Sequence, residues 1–276
     1  MGWEAELRLA WRREDERTVS TFAHRGPLRV LKALYPEGPA VCHHVIVHPP
    51  GGIVGGDRLV IDGDVGEGAH AVVSTPGATR WYRSDGAEAS QRTVMRVGAG
   101  ARLEWLPAET LVHDGARAGG GLRFDLGPQA QLIGWDLLAL GLPASGERFE
   151  HGRYDQHLEV PGLWLERGRL DAADRLLLDS PVGLGGRRAL ATMWWACGEG
   201  TADAEALGEA AVEAARRCIA AGTVDAAATA LQPRLVVVRA LADRIEPLAL
   251  LTREVRGAWR QALWQMEPAP LRMWAT

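Results

Sequence analysis

Three short segments of this chain repeat one pattern. Val65-Gly66-Glu67-Gly68-Ala69-His70-Ala71, Val97-Gly98-Ala99-Gly100-Ala101-Arg102-Leu103 and Leu126-Gly127-Pro128-Gln129-Ala130-Gln131-Leu132 each set a glycine turn and a small alanine before a strand-like run. Their first glycines lie 98 − 66 = 32 and 127 − 98 = 29 residues apart. A turn, an alanine and a strand that recur at this spacing point to stacked β layers, either a solenoid or an extended sandwich. Glycine turns precede strands in any all-β protein, so the weight lies in the recurrence.

The flanking sequence agrees. Trp3, Ala5, Leu7, Leu9 and Trp11 alternate with Glu4, Glu6, Arg8, Ala10 and Arg12, the period of a half-buried strand. Further strand-like runs cover 41–47, 58–61, 70–74, 92–97, 102–106, 121–126 and 131–135, with Gly, Pro and Asp between them. No gap holds an amphipathic helix, so a parallel sheet made of βαβ units is not expected. The C-terminal part differs. Residues 202–221 carry Leu207, Ala211, Ala214, Cys218 and Ile219 at helical spacing, with acidic residues early, Arg216 and Arg217 late, and Gly222 as a stop. Residues 247–266 form a second expected helix, with Pro247 in its first turn and Leu248, Leu251, Val255, Trp259, Ala262, Leu263 and Met266 on one side. Leu235-Val236-Val237-Val238 reads as a buried strand between them. The expected fold is mainly β, stacked layers with two C-terminal helices. It is read as a single domain over 1–276: a β body over 1–195 and an α/β part over 196–276 packed on it.

Composition removes several classes of function. Lys plus Arg is 31 and Asp plus Glu is 35, a net charge of −4, whereas a general nucleic-acid binder carries a basic face. Apolar residues make up 47% of the chain, enough to fill a core. Cys42, Cys197 and Cys218 are sparse, odd in number and without C-x-x-C spacing, so neither a disulfide framework nor a zinc knuckle is expected. The start, Met-Gly-Trp-Glu-Ala-Glu-Leu, lacks the basic and apolar regions of a secretion signal. No run of about 18 uncharged apolar residues predicts a membrane span. A cytoplasmic protein with neither nucleic-acid nor membrane partners is expected. Lys32 is the only lysine among the 31 basic residues; arginine suits planar paired contacts, although a genome-wide codon bias accounts for this more simply.

The densest motif is Cys42-His43-His44-Val45-Ile46-Val47-His48-Pro49-Pro50-Gly51-Gly52-Ile53-Val54-Gly55-Gly56-Asp57. Gly51 and Gly56 satisfy G-x-x-x-x-G, but Asp57-Arg58 follows where a phosphate loop needs Lys and Ser/Thr, and an acid there repels phosphate. Gly51, Gly52, Gly55 and Gly56 are instead expected to form a tight structural turn at positive φ. Cys42, His44 and His48 are candidate metal ligands of a type that suits nickel or zinc. On one strand they share a face, yet His44 and His48 stand far apart along it. Thr75-Pro76-Gly77-Ala78-Thr79-Arg80-Trp81-Tyr82-Arg83 reads as a turn and a cationic, aromatic strand suited to structure or to a protein interface. Asp136, in Gly134-Trp135-Asp136-Leu137-Leu138, and Glu166, in Leu163-Trp164-Leu165-Glu166-Arg167, are carboxylates inside apolar strands. Such groups are ion-paired or functional, because a bare buried charge is costly. The functional alternative is a polar interior channel whose incomplete ligand set passes a divalent cation along without trapping it. Neither G-x-S-x-G nor H-E-x-x-H occurs, and no catalytic constellation is marked out.

With these residues in view, the chain resembles the urease accessory protein family UreD, called UreH in some species. The resemblance is carried by His48-Pro49-Pro50-Gly51-Gly52-Ile53-Val54-Gly55-Gly56-Asp57, Thr75-Pro76-Gly77-Ala78-Thr79, Leu103-Glu104-Trp105-Leu106-Pro107, Trp135-Asp136-Leu137-Leu138, Gly141 through Glu147, and the ending Leu271-Arg272-Met273-Trp274. It spans nearly the whole chain in order. The resemblance implies a helical β-sandwich and a non-enzymatic chaperone, a protein-complex scaffold for nickel insertion. It implies binding to the urease structural subunits and to a UreF-like helical partner that recruits a UreG-like GTPase, and exposed apolar surface around Trp259 and Trp264 is expected to account for the need for a partner. It implies no tightly bound cofactor and only transient nickel, along an interior route on which Asp136 and Glu166 are placed and Thr79 is a further candidate.

Overall fold

The repeated glycine–alanine turns are the corners of a coil. The computed structural model describes residues 2–275. In chain order the strands are β1 (Glu4–Glu14), β2 (Arg17–Arg25), β3 (Arg29–Val30), β4 (Val41–Val47), β5 (Arg58–Val65), β6 (His70–Ser74), β7 (Thr79–Trp81), β8 (Ala89–Val97), β9 (Arg102–Leu106), β10 (Thr110–Val112), β11 (Arg117–Leu126), β12 (Gln131–Leu140), β13 (Arg153–Val160), β14 (Trp164–Asp171), β15 (Ala189–Cys197), β16 (Asp225–Gln232) and β17 (Leu235–Ala242). The α-helices are α1 (Arg175–Asp179), α2 (Ala204–Ala221) and α3 (Ile245–Trp264). A seven-stranded sheet has the order β14-β13-β11-β8-β5-β1-β2. A ten-stranded sheet has the order β16-β17-β15-β12-β9-β6-β4-β3, with β10 joining β12 to β7.

From β4 to β13 the chain winds from one sheet to the other. As a result β1, β5, β8, β11 and β13 are successively parallel in one sheet, and β4, β6, β9 and β12 are parallel in the other. The sequence argued against βαβ units, and none occurs here. Parallel pairing arises all the same, because each crossover is supplied by a strand of the opposite sheet.

The turns stack through their backbones. Gly66 N–H donates to Trp11 C=O, Gly98 N–H to Val65 C=O and Gly127 N–H to Val97 C=O, each at 2.7 Å. A Cβ on Gly98 would lie 2.9 Å from the Glu67 nitrogen and 3.0 Å from the Val65 oxygen. The glycine is therefore needed for close approach of two backbones. Ala69, Ala101 and Ala130 are all buried and line up beneath the turns, where a larger side chain would separate the layers.

Burial patterns show which sheet faces water. Along β1 buried Ala5, Leu7, Leu9 and Trp11 alternate with exposed or half-exposed Glu4, Glu6, Arg8, Ala10 and Arg12, because the outer face of the seven-stranded sheet is uncovered. In β6 every residue is buried, and in β12 every residue after Gln131. Both faces of the ten-stranded sheet are covered there, one by the opposing sheet and one by helices. Trp11, Phe124 and Trp194 lie in the core between the sheets. Trp135, Trp195 and Trp259 lie in a second core under α2 and α3. Each fully buried large apolar side chain contributes roughly 1.5–3 kcal/mol.

The C-terminal part extends the body. β17 pairs with β15 along Ala189–Ala196, and β16 pairs with β17. α3 starts two residues before the sequence-based bound, with Pro247 still in its first turn, and stops where Gln265 turns left-handed (φ 54°). Trp259 and Trp264, expected to expose apolar surface, are buried at 0% and 6% exposure. Trp259 Nε1 donates to Ala211 C=O of α2 at 2.8 Å, so the ring joins the two helices. Among the described residues no helix is long and apolar enough to cross a membrane.

Candidate functional site

Between the two sheets lies a cavity of about 240 Å³. Its wall includes His48, Gly51, Gly52, Thr79, Trp81, Trp105, Asp136 and Tyr154. Strand alternation decides what points into it. Along β12, Leu132, Leu138 and Leu140 face the inter-sheet core, whereas Ile133, Trp135 and Leu137 face the helices. Asp136 therefore faces the opposing sheet with the even-numbered residues.

Among the described residues Asp136 has one side-chain partner. Gln156 Nε2, from β13 of the other sheet, donates to its Oδ2 at 2.7 Å. Burial pushes the Asp136 carboxyl above the usual carboxylate range; the Gln156 hydrogen bond opposes this and the nearby negative charge of Glu166 adds to it. The result is a buried carboxylate next to a cavity, hydrogen-bonded to Gln156 and with no cation paired to it among the described residues. Thr79, at the start of β7, lines the same cavity.

Glu166 is placed differently. It lies on β14, and Arg239 of β17 grips it with both terminal nitrogens, Nη1 to Oε1 at 2.9 Å and Nη2 to Oε2. This pair bridges the two sheets at their margin. It matches the ion-paired reading of a carboxylate in an apolar strand.

The structure does not gather Cys42, His44 and His48. Among the described residues no three His, Cys, Asp or Glu side chains converge as a metal set. Cys42 is buried in the inter-sheet core. His44 Nε2 lies 3.0 Å from Ser20 Oγ, and its ring packs against Trp11 and Phe22. Burial pushes the His44 imidazole down to about 4, with His43 adding to the effect. His48 stands beyond the strand end on the cavity wall, and burial lowers its pKa too.

The four-glycine turn is tight for two reasons. Gly51 (φ 77°) and Gly56 (φ 93°) are left-handed, as expected. Gly52 and Gly55 are not, which corrects that expectation: they are glycine for lack of space. A Cβ on Gly52 would lie 2.1 Å from the Tyr82 ring, and one on Gly55 would lie 2.3 Å from Ser84 Oγ and 2.9 Å from the Ala87 carbonyl. Asp57, the residue that spoils a phosphate loop, closes the turn. Its Oδ1 accepts from Trp3 N–H at 2.7 Å and its Oδ2 from Val54 N–H at 2.9 Å.

A further buried carboxylate, Glu104, is not marked by the sequence. Glu104 of β9 faces the helices. Arg256 Nε donates to its Oε2 and Arg260 Nη1 to its Oε1, both at 2.6 Å, and His70 Nε2 lies 3.0 Å from Oε1. Arg260 also grips Glu37, which contacts His43 Nε2 at 2.8 Å. Arg256 Nη1 further donates to the carbonyls of Pro268 and Ala269, and so pins the C-terminal segment over α3. Burial would raise the Glu104 carboxyl, but the Arg256 charge, the His70 hydrogen bond and Arg260 outweigh it and hold it well below the usual range. The missed signal was two arginines four residues apart beside the apolar side of α3. They require an acid in the sheet below.

Comparison with known proteins accords with this geometry. The family model described as "UreD urease accessory protein" matches residues 4–275. The chain is 52% identical over 277 residues to a protein of Paracidovorax citrulli, and 50% identical over 280 residues to one of Leptothrix cholodnii. A protein of Variovorax paradoxus is 50% identical over 278 residues. All three are named urease accessory protein UreD, and each alignment covers 100% of both chains. A match of this extent, over a two-sheet coil with its four-glycine turn and interior carboxylate, establishes that the chain belongs to the UreD urease accessory protein family.

Proposed function

We propose that this protein is a non-enzymatic scaffold of urease maturation, acting in the cytoplasm. It holds the urease structural subunits and a UreF-like helical partner, and through that partner a UreG-like GTPase. Nickel is its cargo. The ion crosses the interior between the two sheets, with Asp136 as the principal oxygen ligand and Thr79 beside it.

The observation that carries this reading is the environment of Asp136. A carboxylate next to a cavity, bonded only to a neutral amide, keeps lone pairs for a cation. One carboxylate with neutral neighbours is an incomplete ligand set, so it binds divalent ions weakly and releases them. A carrier needs that property; a storage site or a metalloenzyme needs a closed set. Glu166 contributes less, since Arg239 already neutralises its charge, and its role is to set the field at the cavity's margin.

Co-expression with and without the urease structural subunits and the UreF-like partner tests the scaffold. The expected result is co-purification with both and nickel-loaded urease only when this chain is present. Failure to co-purify with either would remove the scaffold reading. Asp136→Leu and Glu166→Leu separate the route from the scaffold: complexes persist in both, and urease nickel falls strongly in the first and weakly in the second. Full nickel in both would reduce the two carboxylates to structural roles.

A further inference from the structure

The wall facing Asp136 contains a second oxygen group in an unusually determined position. Tyr154 lies on β13 with its side chain between the sheets, and it lines the same cavity. Its ring meets that of Trp81 edge-on, with centroids 6.0 Å apart. Its hydroxyl lies directly over Gly120 of β11, where a Cβ would come within 2.0 Å of the oxygen and 3.0 Å of the ring carbon that bears it. Gly120 is paired with Gln156, the residue that holds Asp136. One strand pair thus positions the hydroxyl, the amide and, through the amide, the carboxylate.

The chemistry of the group suits this placement. A phenol, with an ordinary pKa of about 10, is a neutral O–H at neutral pH. A neutral phenol oxygen can accept a cation or orient a water. It adds no charge that would trap a divalent ion.

We propose that Tyr154 is a positioning residue of the cation route: its hydroxyl and the Asp136 carboxylate form the station that a partly hydrated divalent cation passes, and Gly120 is glycine to leave room for that hydroxyl. This rests on the reading of Asp136 as a nickel ligand. It goes beyond that reading in assigning the opposite wall and the glycine behind it.

The test uses the intact chain co-expressed with urease and its accessory partners, with nickel per purified urease as the readout. Tyr154→Phe keeps the ring and its Trp81 contact and removes one oxygen. It is expected to leave complex formation unchanged and to lower urease nickel several-fold at limiting nickel, with recovery when nickel in the medium is raised. A packing defect would not be rescued by added metal. Gly120→Ala is the second variant, because it acts by displacing the hydroxyl. The double variant is then expected to be no worse than Tyr154→Phe alone. If the two losses multiply, the glycine serves another purpose and the inference falls. If Tyr154→Phe matures urease fully while Asp136→Leu does not, Tyr154 is a bystander and the route survives without it. If both mature urease fully, the route itself is wrong and the inference goes with it.

Discussion

The ten-stranded sheet buries two carboxylates, one on each face, and they behave oppositely. Glu104, under α3, meets two arginines and a histidine, all within 3.0 Å. Asp136, between the sheets, meets one neutral amide. Burial would raise both. Only Glu104 is brought down, because only Glu104 has cations around it. Depth alone therefore assigns neither role; the partners do. The saturated acid fastens α3 and the C-terminal segment to the sheet, and the under-partnered acid holds the Gln156 amide of the opposing sheet.

The comparison can be broken most forcefully at Glu104. Glu104→Leu leaves Arg256 buried without its counter-charge and Arg260 with Glu37 alone, and a loss of about 3–5 kcal/mol is expected, measured by chemical denaturation. A change near zero would mean that the network is ornamental. Combining Glu104→Leu with Arg256→Met removes the stranded charge and leaves Arg260 paired with Glu37. Most of the lost stability should return, since an apolar set of similar volume serves as well as a buried ion network.

Asp136→Asn sharpens the other side. The folded-state pKa of Asp136 is raised, so at neutral pH its charge costs stability, and that cost is relieved as pH falls through the raised value. The asparagine variant should match or slightly exceed the parent in melting temperature at pH 7, and the gap should close on acidification. For Glu104 the sign reverses. Its folded-state pKa is depressed, so its contribution is present above the unfolded value and fades only in strong acid, as pH falls through the folded value. A parent protein that loses to Asp136→Asn at low pH, or a Glu104→Leu defect that vanishes at mildly acidic pH, would reverse the two assignments. The smallest effect is expected at Arg239→Gln. Arg239 is half exposed, so releasing Glu166 from this marginal pair should cost at most about 1 kcal/mol, read as a small shift in denaturation midpoint.

Sequence and structure agree where the signal is local. The turns at Gly66, Gly98 and Gly127 announced a stack because each must pass close to the backbone of the layer before it. The two long helices showed in their apolar spacing. The direction of the strands is hidden, because crossover helices are the usual sequence sign of parallel pairing and this chain crosses through its other sheet. Asp136 stood out as an acid in an apolar run. Glu104, in an equally apolar run, did not, because its partners lie 152 and 156 residues away on α3. The roles of Tyr154 and Gln156 depend on two sheets meeting, which no local pattern encodes. Trp259 and Trp264 were read as exposed because a helix read alone does not reveal that β12, β15 and β17 lie beneath it.

The decisive measurement is nickel per urease after maturation with the Asp136→Leu chain, at complex yields equal to those of the parent. Low nickel in a fully assembled complex is the result expected of a carrier that has lost its ligand. Full nickel in that complex would show that the ion reaches urease without passing this carboxylate.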